Sequence, residues 1–223
     1  MKRNGIFTRF GVILAAGSIW GLVEFAAGLG LQKCAALYTG AILTGLSFFW
    51  LTFVWGVTGR ILPVIQTVVI VMLFKWLDAF LLQLEWNNGA VVNPMFAFLT
   101  AMTGFILVIT LFRKRFTGKL SIRILSGGLA ALTAMALFPL VRFATGIPAC
   151  TYAATQVPLS VYTAPAAMVI AMITVPLGFK VSLWFDRMDD RVSVLQFKLF
   201  IGRLWSLAVF ISCVIIIIMA RSI

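Results

Sequence analysis

Apolar stretches of membrane-crossing length recur along nearly the whole chain, and this repetition constrains the fold more than any motif does. A helix needs about 20 residues to cross roughly 30 Å of hydrocarbon. Stretches of that kind fall at 7–31, 37–58, 61–84, 94–112, 122–142, 162–184 and 200–220. With 62% hydrophobic and only 11% charged residues, no separate water-soluble domain remains. The expected fold class is all-α, a polytopic bundle of about seven transmembrane helices forming a single membrane domain over 1–223. Within it, 1–184 reads as a six-helix core, and 185–223 as a surface connector plus an additional seventh helix.

The net charge of +12 would suggest nucleic acid in a soluble chain. Across seven spans it is a topology signal, and the expected partner is the lipid bilayer, with no nucleic acid. With the N-terminus inside, fourteen of the eighteen Lys and Arg lie on the inner side, including Lys2 to Arg9, Arg113 to Arg123 and Lys180 to Arg203. Lys33, Arg142 and Arg221 fall outside, Lys75 falls within the membrane, and the C-terminus is outside. A bacterial cytoplasmic membrane is the expected location. The start MKRNGIFTRFGVILAAG mimics a signal peptide, but its apolar run continues past Glu24 without a clear cleavage site and reads as an uncleaved first span. RKRFTGKLSIR reads as a topology-setting cytoplasmic loop, and FDRMDDRVSVLQFKLF as a short helix on the inner surface or an ordinary connector.

Missing residue types narrow the chemistry. There is no histidine, which removes bis-histidine haem, histidine-ligated zinc and the usual neutral-pH general base. Cys34, Cys150 and Cys213 form no CxxC pair, although the first two share the outer side, where a disulfide is conceivable. P-loop, GxSxG and HExxH motifs are absent. No enzyme activity, cofactor or metal site is expected.

The residues that stand out are charges inside apolar helices, which usually face a protein interior and have a partner. Lys75 and Asp78 interrupt VVIVMLFKWLDAFLL and can pair at three-residue spacing. Glu24 lies at a similar height in span one and competes for the same ammonium. A Glu24–Lys75–Asp78 cluster is either a ligand site or a fastener between spans one and three. Trp20 and Trp76 lie too deep for the interfacial belt, which would account for Trp50, Trp55, Trp86, Trp184 and Trp205. They could line such a site, with Asn93 closing it from outside. Gly17 and Gly21 share one stripe of span one with Glu24, where small residues permit close helix approach, and AILTG offers a second small pair at Ala41 and Gly45.

IWGLVEFAAG in span one, TGAILTG at the entry to span two and a lysine late in span three resemble the small substrate-binding membrane proteins of energy-coupling-factor transporters. The matching residues are Trp20, Gly21, Glu24, Gly40 and Lys75, within roughly the first hundred residues. The resemblance implies a six-helix bundle that captures a vitamin-like molecule or metal ion from outside. It also implies a separate transmembrane coupling protein with two ATPases, docked on small residues of span one, here Gly17 and Gly21. Span seven lies outside that six-helix pattern.

The leading expectation is a membrane transport component that binds a small molecule or ion from the outer side, in a pocket between helices one and three. Glu24, Lys75, Asp78, Trp20, Trp76 and Asn93 are its candidate binding residues. The alternative is a non-catalytic membrane subunit or anchor of a larger complex, with the three charges buried as a fastener.

Overall fold

A computed structural model describes residues 6–30, 38–147, 151, 155–192 and 198–222. These form α1 (Ile6–Gly30), α2 (Thr39–Thr58), α3 (Ile61–Leu81), α4 (Gly89–Phe116), α5 (Leu120–Leu137), α6 (Val141–Thr145), α7 (Leu159–Val192) and α8 (Lys198–Ser222). A 3-10 turn at Phe138–Leu140 joins α5 to the short α6. Seven helical segments are long and apolar enough to cross a membrane, α5 and α6 together making one of them. The protein is an all-α seven-helix bundle.

The turns between helices are built locally. Gly59 adopts φ 65° after α2 and donates its N–H to the Trp55 carbonyl at 2.7 Å, a left-handed cap that suits glycine. Asn88 caps α4 by accepting from Ala90 N–H at 2.9 Å. At the opposite end of α4, Arg123 donates to the carbonyls of Phe116 and Thr117 at 2.9 and 2.8 Å, and its guanidinium lies 4.1 Å from the Phe179 ring centre. RKRFTGKLSIR is therefore mostly helix, with a turn only over 117–119.

Six helices, α1 to α5 and α7, enclose the main core around Phe48, Leu51, Val68, Phe105, Ala131 and Ala171. Lipid tails are as apolar as leucine, so close approach and interhelical hydrogen bonds carry helix association. A β-carbon on Gly104 would stand 2.6 Å from the Ala130 carbonyl oxygen, so α4 and α5 pack backbone to backbone there. Thr174 of α7 donates to the Gly45 carbonyl of α2 at 2.7 Å.

α8 is an addition to this body. It meets α1 and α3 in a smaller cluster of Phe25, Phe74, Cys213 and Ile217, and leaves Leu204, Trp205, Ile211 and Ile215 exposed. α7 continues without a break to Val192, its 34 residues spanning about 51 Å at 1.5 Å each. The expected surface helix thus begins as the end of α7, because FDRMDDRV continues the helical register. Residues 193–197, Cys34 and Cys150 lie outside the described residues. Trp86, Trp184 and Trp205 are exposed as belt residues would be, whereas Trp55 is buried edge-on against Phe116 at 5.2 Å.

Candidate ligand-binding site

The expected charge cluster divides into two groups with different partners. Asp78 is almost fully buried and accepts from Lys75 Nζ at 3.1 Å through Oδ2, and from Arg221 at 2.7 and 3.0 Å through Oδ1. The Arg221 guanidinium also lies 5.0 Å from the Phe25 ring centre. This group ties the end of α8 to α3 and to one side of α1. Two cations on one carboxylate give the group a net charge of +1.

Glu24 takes a different partner. Trp20, one helical turn earlier and wholly buried, donates its indole N–H to Glu24 Oε1 at 3.2 Å. The Trp20 ring is held edge-on against Phe98 of α4, with centroids 5.6 Å apart. Among the described residues no direct ion pair joins Glu24 to Lys75. Lys75 and Glu24 thus take different partners.

Glu24 instead lines a partly open cavity of about 250 Å³. Its walls come from α1 (Glu24), α2 (Gly40, Leu43, Thr44, Ser47), α4 (Asn93, Pro94, Ala97, Phe98), α5 with the following turn (Met135, Phe138) and α7 (Leu159, Ser160, Thr163). The lining draws on the late residues of α1 and α5 and the early residues of α2, α4 and α7, all at one end of the bundle. That end lies opposite Arg113 to Arg123, which flank the turn between α4 and α5.

Of the sequence-predicted residues, Glu24 and Asn93 line this cavity and Trp20 supports it from behind through Glu24 and Phe98. Lys75 and Asp78 belong to the α3–α8 group, and Trp76 points outward at 59% exposure. The cavity thus lies between α1 and the helices α2, α4, α5 and α7, where the sequence suggested helices one and three. The reason is steric. The glycine stripe of α1 is filled by α3, since a β-carbon on Gly17 would meet Ile70 at 2.8 Å and one on Gly21 would meet Phe74 at 2.7 Å. The same contacts occupy that face of span one from within the chain.

The chain matches no protein-family model, no curated protein and no solved structure.

The hydroxyls of Thr44, Ser47, Ser160 and Thr163 are site residues that sequence reasoning missed. Thr44, Ser47 and Thr163 donate to the carbonyls four residues earlier, at 2.7, 2.8 and 2.9 Å. That bond is the ordinary way a helix satisfies Ser or Thr, so nothing in their spacing marks them. Asn93 Oδ1 and Ser160 Oγ are buried at this cavity without a protein partner. Buried polar atoms are nearly always hydrogen-bonded, so two orphans lining one cavity point to a ligand or ordered water. Among the described residues no three His, Cys, Asp or Glu side chains come together as a metal cluster.

Proposed function

We propose that this protein is the substrate-binding component of a membrane transport system, taking a small molecule from the outer side into the cavity bordered by Glu24. One observation carries the reading: a carboxylate and two unpartnered polar side chains meet in a mainly apolar cavity at the end of the bundle opposite Arg113 to Arg123. Ligand pockets combine apolar walls with a few convergent polar groups in this way, and intramembrane carboxylates mark substrate and ion pathways. The coupling protein and ATPases implied by the resemblance would supply the energy. Their docking surface would lie on a face other than the Gly17 and Gly21 stripe, which α3 covers.

The second reading, a membrane subunit of a larger complex, is favoured by a different observation. Asp78, Lys75 and Arg221 serve to fasten α8 beside α1 and α3, as a helix added for assembly would be fastened. Native mass spectrometry of the gently purified protein separates the two. A co-purified small molecule that is lost in Glu24→Gln supports the binding component. A stoichiometric partner chain without any ligand supports the subunit.

A further inference from the structure

The polar atoms of the cavity are unevenly divided between donors and acceptors. Thr44, Ser47 and Thr163 each spend their single hydroxyl proton on their own helix, at 2.7, 2.8 and 2.9 Å, and offer the cavity only lone pairs. Glu24 offers Oε2, which accepts no hydrogen bond from a described residue while Trp20 holds Oε1. Asn93 Oδ1 is buried without a donor, and Ser160 Oγ, 9% exposed, lacks a partner. Among the described residues no Lys or Arg lines the cavity. Lys75, on α3, is bound to Asp78. Among the described lining residues, donors remain only at Asn93 Nδ2 and the Ser160 hydroxyl, while Glu24 Oε2, Asn93 Oδ1 and the lone pairs of four hydroxyls accept, so acceptors outnumber donors and favour a ligand that brings its own protons.

We propose that the ligand is a small organic cation of the amine class, with its N–H-bearing head on Glu24, Asn93 and Ser160 and a compact apolar body against Phe98, Met135 and Phe138. The partly open cavity of about 250 Å³ has room for a compact body such as one ring or a short branched chain. An anionic ligand would meet a carboxylate with no compensating cation among the described wall residues. A neutral alcohol would leave the carboxylate's charge unanswered. This assignment rests on the binding-component reading above.

The test uses the full chain in lipid nanodiscs and three probes sharing one ring, benzylammonium, benzyl alcohol and benzoate, with calorimetric titration of each. Charge-assisted hydrogen bonds predict that benzylammonium binds at least about tenfold tighter than either analogue. They also predict that Glu24→Gln removes that preference while leaving the alcohol unaffected. Ser160→Ala, which deletes an unpartnered hydroxyl and is tolerated by the fold, weakens benzylammonium alone and keeps the test alive if Glu24→Gln misfolds. Equal or tighter binding of benzyl alcohol or benzoate overturns the amine assignment and leaves the binding component standing. Binding of none of the three overturns both.

Discussion

Arg221, in the last turn of α8, reaches Asp78 in α3 at 2.7 Å across 143 positions of sequence, and Lys75 takes the other oxygen of the same carboxylate at 3.1 Å. One buried anion thus joins the end of a peripheral helix to α3, beside the apolar packing of Cys213 and Ile217 against Phe25 and Phe74. The cost of desolvating three charged groups is offset by complete pairing at Asp78, and removing the shared anion leaves two cations uncompensated.

Asp78→Asn should therefore be the most damaging change in this group, lowering stability by about 3–5 kcal/mol. Arg221→Leu should cost less, since Lys75 remains on Asp78, and Lys75→Met least, since Arg221 keeps two contacts at 2.7 and 3.0 Å. Thermal unfolding in detergent should give that order. A Lys75→Met protein less stable than Asp78→Asn would contradict it.

The α1–α3 contact has no room for side chains. Gly21→Val should lower stability by about 1–3 kcal/mol through overpacking against Phe74. Gly40→Ala should be neutral, because no atom lies within 4 Å of the added carbon. Parallel unfolding curves check the pair. A stable Gly21→Val protein that only loses a partner chain would show that the stripe serves docking.

Thr174→Val removes the hydrogen bond between α7 and α2 while keeping side-chain shape. Interhelical bonds of this kind in membranes average about 0.6 kcal/mol with a maximum near ~1.7. A loss in that range is expected, measured by unfolding of both proteins under one detergent condition.

At the opposite end, Arg123→Met should cost about 1–3 kcal/mol, because it frees the Phe116 and Thr117 carbonyls and removes the cation over Phe179. Arg123→Lys should recover only part of this, since an ammonium lacks the planar fork that serves both carbonyls and stacks on the ring. Hydrogen exchange at the α4–α5 turn would report both.

The seven helices were legible in the sequence because membrane-length apolar runs have few other uses. Glu24 and the Lys75–Asp78 pair were legible as charges in such runs. Arg221 was not legible as their partner. It reads as a flanking charge on the outer side, and only the packing of α8 against α1 brings it to Asp78. Trp76 and Asn93 show the same limit in opposite directions, since helical position alone does not say which faces lipid and which faces the bundle. Trp76 turned out exposed, and Asn93 turned inward. Gly17 and Gly21 signalled a close contact correctly but not with which helix.

Cysteine accessibility tests the central claim, an outward-opening cavity beside Glu24, most directly. Ala97→Cys, in a background with the native cysteines replaced, would be reacted with a membrane-impermeant maleimide added to either side of oriented membranes. The account predicts labelling from the outer side only, slowed by benzylammonium. Labelling from the inner side only, or none from either side while a cysteine at exposed Trp86 reacts normally, would contradict it.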